Sequence, residues 1–585
     1  MPKESIENQP ESIKSTSDVE SIPRISGGLI DQNELALPLE EQVLEKAVPS
    51  ERREIAKSAS LVMLGNLGSS VLGMVRQVVI TAIGSNFGGP FNAALLPART
   101  FNDFLVNGSV SGALIPTFND YSAPEKRDEL RRIVFTIVNL LLLVIFTFAL
   151  LYLLVSPYFV NFLVSGFSGD QKQLTLLYSQ IVFFSLLALG PFAVLLAALF
   201  ALKEFGWPAF ATGAYHVGII GGAGIGALLG ARYNGHLGLA VGVLFGAAGE
   251  VALLLPGIRN KRLYYMFVLD LKHPALRRIV KLYGPVAFSF LVTMGLVFLD
   301  QHLASLTHDS GSNGAQNTLA LNSATTLIQF PVGLVAAALS FAVLPTLSEH
   351  ARNGDIDRFK QTLLLGFRVG LLLMIPAAVG LIVLREPIVF LLFRHHNFTP
   401  QEASRTALAL QNYAYQLPFV ALDQLLIAAF YAHKNTLTPV TVGVVCIAGY
   451  LAVALPFYTT IGMPALAFAN TVQNSLHAII LLVLLRMAIG TIRIRETIPT
   501  ILKILLAAAV MLVVASGLLL LLGHLALFSL NGILGQLLTV VVVGSLAGMI
   551  YIGWVLLLHV EEVALVRNAV MAKLGIRRDK GWRRG

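Results

Sequence analysis

The chain has 585 residues, 55% hydrophobic and 13% charged, with a formal net charge of +9 and a mean hydropathy of +0.73. Soluble domains carry about 25% charged residues, so this chain has too little charge to cover a water-facing surface of its length. A soluble enzyme, a disordered scaffold, a secreted disulfide protein and, despite the positive charge, a nucleic-acid binder are excluded; a polytopic membrane protein remains.

Residues 1–50 hold ten acids against four bases and no apolar core of a signal peptide, so they read as a disordered cytoplasmic tail. An amphipathic helix over Leu39–Val48 is the weaker alternative. A bilayer core needs roughly 20 apolar residues per helix. About fourteen such stretches follow: 56–83, 91–118, 131–155, 174–201, 208–230, 237–256, 278–306, 317–347, 361–384, 405–432, 437–459, 464–486, 499–523 and 534–560. They lack the alternation of barrel strands and are longer than such strands, which predicts an all-α polytopic fold. Residues 561–585 form a basic tail ending in Arg583-Arg584.

Lys and Arg concentrate on one set of loops. Arg52, Arg53 and Lys57, the Lys126 to Arg132 cluster, Arg259 to Lys281, Arg486 to Lys503 and Arg567 to Arg584 fall on one side. Lys172, Arg232, Arg385, Arg394 and Arg405 fall on the other. The positive-inside rule then places both termini in the cytoplasm.

Two segments recur. Leu114-Ile115-Pro116-Thr117 matches Val343-Leu344-Pro345-Thr346 at an offset of 229. Phe200-Ala201-Leu202-Lys203 with Pro208 matches Tyr431-Ala432-His433-Lys434 with Pro439 at 231. Six spans separate the copies, so both face the same way, with a pseudo-two-fold axis along the membrane normal. The predicted organisation is an N-lobe at 51–260, a C-lobe at 261–490 and two added helices at 491–560. Chance similarity between apolar segments is the alternative.

Ionisable groups within spans are costly unless they face a cavity or a partner. They are Arg76, Arg99, Asp103, Glu250, Asp300, Arg368 and Asp423, with His216, His302 and His477. Arg76 is too deep to snorkel; it reads as an anion-binding guanidinium, or else as a structural partner of Asp103 or of backbone carbonyls. Arg99 and Asp103 share a helix face and satisfy each other in the plainer reading. Arg368 reads as a snorkelling side chain. Asp300, Asp423 and Glu250 are candidates for a coupling cation or proton, the first two alternatively being wet helix ends. The histidines read as hydrogen-bonded interior residues. Cys446 is the one cysteine, which leaves no disulfide and no cysteine metal site. No P-loop, Ser-His-Asp or His-Glu-x-x-His arrangement is present. The run Gly218 to Gly230 reads as close helix packing. Asn397-Phe398-Thr399 is a glycosylation sequon only in a secretory setting.

Further motifs carry a resemblance. They are Ser69-Ser70-Val71-Leu72-Gly73-Met74-Val75-Arg76, Asn107-Gly108-Ser109-Val110-Ser111-Gly112-Ala113-Leu114-Ile115-Pro116, Leu327-Ile328-Gln329-Phe330-Pro331-Val332-Gly333, Leu344-Pro345-Thr346-Leu347-Ser348 and Ala429-Phe430-Tyr431-Ala432. In this order over about residues 56–490, the chain resembles the MurJ/MviN family of murein lipid II flippases in the MOP superfamily. The resemblance implies fourteen helices, two six-helix lobes and no enzymatic or metal site. It also implies alternating access, moving an undecaprenyl-diphosphate-linked sugar peptide from the inner to the outer leaflet of a bacterial cytoplasmic membrane. A cationic N-lobe cavity would bind the diphosphate, since Arg offers a planar bidentate donor; a groove toward the last two helices would hold the lipid tail. Energy would come from membrane potential or an ion gradient, without a cofactor. The partners would be the lipid-linked oligosaccharide, membrane lipids and cell-wall synthesis proteins, with no nucleic acid.

The chain departs from the family pattern at Ser70 and Asn102, where an Arg is usual, at Gln77 and Asn92, where an acid is usual, and at Thr325-Thr326, where Asp-Arg is usual. Arg76 remains, and Arg99, three residues before Asn102, is placed to replace a lost guanidinium. The substrate-binding set is therefore Arg76, Arg99, Asn102, Asn92, Ser70 and Thr326. Alternatives are a flippase for another lipid-linked glycan, an ion-coupled exporter of the MATE sort, and a transport-inactive envelope scaffold.

Overall fold

The structure is a computed structural model that describes residues 61–62, 64–105, 113–230, 235–308, 312–524 and 532–563. The tail at 1–50, the Asn107 to Gly112 motif, Arg232 and the basic tail beyond 563 lie outside the described residues. Among the described residues all regular structure is helical. Helix α1 covers 64–82. The N-terminal half continues with α2 (Ser85–Asp103), α3 (Ile115–Asn119), α4 (Arg127–Leu163), α5 (Gly169–Phe183), α6 (Leu186–Ala201), α7 (Gly206–Leu229) and α8 (Gly238–Asn260). The second half holds α9 (Pro274–Leu306), α10 (Gly314–Ala342), α11 (Leu344–Arg352), α12 (Ile356–Val383), α13 (Arg385–Phe393), α14 (Pro400–Ala414), α15 (Leu417–Ala432), α16 (Leu437–Phe457) and α17 (Met463–Ile489). Two more helices, α18 (Ile498–Gly523) and α19 (Ile533–Leu557), end the fold.

Where the fourteen apolar stretches fall on described residues, they lie on these helices. Among the described residues, nine helices are long and apolar enough to cross a membrane, or ten if the bent pair α14 and α15 is one span. Helix α2 is not among them, because its 19 residues include Asn86, Asn92, Arg99, Asn102 and Asp103. It nonetheless packs on α5 and α10 within the fold.

The internal repeat is written into the backbone. Helix α5 opens with a capping box of Ser168 and Gln171, and α14 with one of Thr399 and Glu402. Each stops after 15 residues and resumes as a 16-residue helix. The resumed helices end alike, with Lys203 at φ 56° and Lys434 at φ 60°. In both endings a 6→1 bond follows, from Glu204 N–H to the Leu199 carbonyl and from Asn435 N–H to the Phe430 carbonyl. This is the Schellman ending, usually built on glycine, and here a lysine takes the left-handed position twice. All these pairs stand 231 positions apart, the offset of the second sequence match.

Helices α7 and α8 make the most extensive helix contact of the fold. A Cβ on Gly218, Gly222, Gly226, Gly238 or Gly242 would overlap backbone of the facing helix. The glycine run is thus a close-packing stripe. Helices α18 and α19 pack on each other and on α12 and α13. They form a second apolar core with Leu371, Ile375, Ile504, Met511, Val543 and Tyr551.

Helix α10 runs between the two halves. Its first turns meet the N-terminal half closely: a Cβ on Gly89 would overlap Ala315, and one on Gly88 would touch Leu319. One turn on, buried Gln77 donates to Ser323 Oγ at 3.0 Å. At the same end, the Asn397 backbone N–H donates to the Ala82 carbonyl at 3.1 Å. Beyond Ser323, α10 lines a cavity together with helices of the N-terminal half.

Candidate functional site

The cavity measures about 310 Å³ and is lined from six helices. Helix α1 gives Ser69, Ser70, Gly73 and Arg76, and α2 gives Arg99, Asn102 and Asp103. Helices α6, α7 and α8 give Leu189, then Thr212, Tyr215 and His216, then Glu250. Helix α10 gives Thr326, Gln329 and Phe330. Glycines set the spacing. A Cβ on Gly73 would stand 3.5 Å from the His216 ring, and one on Gly249 would stand 3.3 Å from Ala214 Cβ. The stripe on α7 and α8 therefore holds Glu250 at the depth of Tyr215 and His216.

The polar groups in the cavity are left with few partners. Arg76 makes no hydrogen bond or ion pair with a described residue, and its Nε is buried without an acceptor. Asn102 Oδ1 and His216 Nδ1 are buried without partners as well. Glu250 is 5% exposed and no described side chain pairs with it. Arg99 and Asp103 approach to only 4.0 Å, each about half exposed to the cavity. A buried polar atom without a partner costs about 1–3 kcal/mol, so several in one cavity mark a site that water or a ligand completes. The guanidinium of Arg76 is then free to bind an anion bidentately, with Arg99 supplying a second cation.

Of the predicted binding residues, Arg76, Arg99, Asn102, Ser70 and Thr326 come together here. The hydroxyls of Ser70 and Thr326 donate to carbonyls one turn back, those of Asn66 and Asn322, both at 2.9 Å. Asn92 does not line the cavity. It is ten residues before Asn102, about 15 Å along the helix, and is buried toward the closed end with its Nδ2 unpaired. Glu250, expected as an ion-coupling acid, is a cavity residue. Asp300 and Asp423 are outside it: Tyr450 of α16 donates its hydroxyl to Asp300, and Asp423 pairs with His477. His302 is bonded as an interior residue, to the Phe162 carbonyl at 2.6 Å, whereas His216 is not. Arg368 does not snorkel; it pairs with Glu562 Oε1 at 3.0 Å and contacts Thr497 Oγ1 at 3.3 Å. Tyr215, His216, Thr212, Ser69 and Gln329 were not expected in the site. A histidine in an apolar span and a glutamine beside Phe330-Pro331 were the signals available for two of them.

Many helices long and apolar enough to cross a membrane, packed around a polar cavity, define a polytopic membrane protein. The fold agrees with solved structures of that class. A structure described as lipid II flippase MurJ in an inward closed conformation superposes with a TM-score of 0.68 at 22% identity, covering 84% of this chain and 98% of that one. An inward-facing multidrug-resistance MATE family transporter of the MOP superfamily gives 0.56 at 16% identity, covering 72% of this chain and 94% of that one. The family model described as lipid II flippase MurJ matches residues 82–543, and the chain belongs to that family. Among curated relatives, the "Probable lipid II flippase MurJ" of Bdellovibrio bacteriovorus is 27% identical over 527 residues, 89% of this chain and 98% of that protein. The protein of the same name from Vibrio cholerae is 26% identical over 448 residues, 73% of this chain and 82% of its own.

Proposed function

We propose that this chain flips lipid II across a bacterial cytoplasmic membrane, delivering the precursor to cell-wall synthesis proteins on the outer face. The observation that carries the reading is Arg76, a guanidinium inside the bilayer region with no partner among the described residues and a cavity before it. A diphosphate is the group that such a cation, assisted by Arg99, would hold. Arg99 stands in the same cavity as Asn102, which supports its replacing the arginine usual there. The positive-inside distribution supports cytoplasmic termini, and α1 then enters from the cytoplasm. The cavity lies before Gln77 along α1, so it would open to the cytoplasm. Lobes at 51–260 and 261–490 would rock about the seam along α10, and the helices within 491–560 would ride on the second lobe. The chain would act as a transporter driven by membrane potential or an ion gradient.

The test is rescue of a bacterium depleted of its own lipid II flippase, with wild type and Arg76→Ala at matched membrane levels. Rescue by wild type alone supports the reading. Failure of well-inserted wild type assigns the cavity to another substrate, such as a different lipid-linked glycan, or leaves the chain as a scaffold.

A further inference from the structure

His477 sits on α17 with both ring nitrogens engaged. Its Nδ1 is 2.6 Å from Asp423 Oδ1 on α15, and its Nε2 is 3.0 Å from the carbonyl oxygen of Pro439 on α16. The two side chains are 14% and 15% exposed. A carbonyl oxygen only accepts, so Nε2 carries a hydrogen. The Nδ1 to Oδ1 contact then needs one more proton, resting on the imidazole or on the carboxyl. In either arrangement the pair is neutral overall, as an apolar surrounding demands. Removing that proton sets an imidazole lone pair against a carboxylate at 2.6 Å and leaves one net negative charge. The one remaining imidazole hydrogen cannot serve both Asp423 and the Pro439 carbonyl, so one of the two contacts through which this side chain joins three helices must then open. Gly443 of α16 lies against the ring, where a Cβ would stand 3.6 Å from Nε2, so no side chain blocks the ring's movement there.

From these contacts we propose that Asp423 and His477 form a proton-binding site that couples the transport cycle to a proton gradient; this rests on the transport reading above. The pair is separate from the cavity and from the other ionisable groups of its neighbours. On α16 the Cys446 thiol is within electrostatic range of Asp423, and Tyr450 is committed to Asp300 of α9. On α14, Glu402 is in its capping box, Arg405 reaches Asn317 and Tyr413 interacts with Asp300. Arg368 of α12 is held by Glu562. Glu349, His350 and Arg352 of α11, Asp357, Arg358 and Lys360 of α12, Arg277, Arg278, Lys281 and His302 of α9, Tyr431 and His433 at the end of α15, and Arg486 of α17 also belong to these elements, and none of them bonds to Asp423 or His477. One proton therefore decides the charge of this junction.

The test uses the full-length protein in two measurements. In the first, histidine is labelled with 15N and the signal lost in His477→Gln is followed by NMR. We expect one proton to leave the pair as the pH is raised, with that step moved in Asp423→Asn. A signal unchanged over the whole range overturns the site. In the second, protein in liposomes flips lipid II under an imposed pH gradient, with membrane potential clamped by potassium and valinomycin. Wild type should accelerate, at most about tenfold per pH unit for one proton. Asp423→Asn and His477→Gln should lose that response while keeping gradient-free exchange. A merely structural pair would lower thermal stability in both variants and leave the response intact, which overturns the coupling. Absence of any flipping by wild type defeats the transport reading and the coupling with it, and the NMR measurement still decides the proton site.

Discussion

Equivalent points on the last helix of each lobe carry Glu250 on α8 and His477 on α17, 227 positions apart. The registers are fixed by Gly235 and Gly462 and by Leu239-Ala240 and Leu466-Ala467. Glu250 lines the cavity and pairs with nothing described; His477 is saturated by Asp423 and Pro439. The contrast extends to the arginines. Arg76 of the first lobe has a buried Nε with no acceptor, and Arg368 of the second is locked to Glu562 and Thr497. A duplicated scaffold has thus been divided: one copy leaves polar groups unpaired around a cavity, and the other closes them on one another.

That division can be broken most forcefully at Arg368. Arg368→Met leaves Glu562, 2% exposed, without its cation, and should destabilise the protein by about 3–5 kcal/mol. Thermal unfolding in detergent should show it, and Glu562→Gln added to Arg368→Met should return much of the loss. The same replacement in the other lobe should do the opposite. Arg76→Met should leave the melting temperature within the scatter of wild type, yet lower flipping about 10- to 100-fold, since one charge-assisted hydrogen bond is worth about 1.5–3 kcal/mol. A melting temperature that falls with Arg76→Met would mean that Arg76 is structural after all. Tyr450→Phe sharpens the comparison on the C-lobe side: with Asp300 deprived of its donor, a cost of about 1–2 kcal/mol is expected, and Asp300→Asn, which still accepts from Tyr450, should cost less. The smallest effect is expected for Arg99→Ala. Its partner Asp103 is 4.0 Å away and both are half exposed, so stability should change by under about 1 kcal/mol. Flipping should fall less than with Arg76→Met, as measured by rescue at limiting expression.

The helices were legible because the bilayer imposes long apolar runs, and the glycine stripe and both copies of the Pro-Thr and Ala-x-Lys segments stood out in the sequence. The breaks inside α5–α6 and α14–α15 were not, because the apolar run continues through Leu186–Leu189 and Leu417–Val420; Pro418, in the first turn of α15, is a local hint of the second break. Arg76 and Glu250 were visible as charges where lipid should be. Their environments were not, since apolar periodicity names a span without saying which of its faces meets water. Arg368 was misread for the same reason: its partner Glu562 is 194 residues away in sequence, in a segment that reads as a loop. Asn92 shares a helix with the cavity residues but not their depth, and depth follows from where α10 crosses α2, which no local pattern encodes.

The seam on α10 also has an electrical meaning. If the cavity holds water and opens to one side, as proposed, it would be nearly equipotential with that solution, and the voltage across the membrane would fall mainly over the layer around Gln77, Ser323, Gly88 and Leu319. A full membrane potential of about 100 mV, worth roughly 2.3 kcal/mol per unit charge, would then be concentrated on a thin stretch of protein instead of the whole bilayer. An anionic head resting against Arg76 would cross little of that field on entering and nearly all of it on leaving, so the voltage would act chiefly on the opening of the seam.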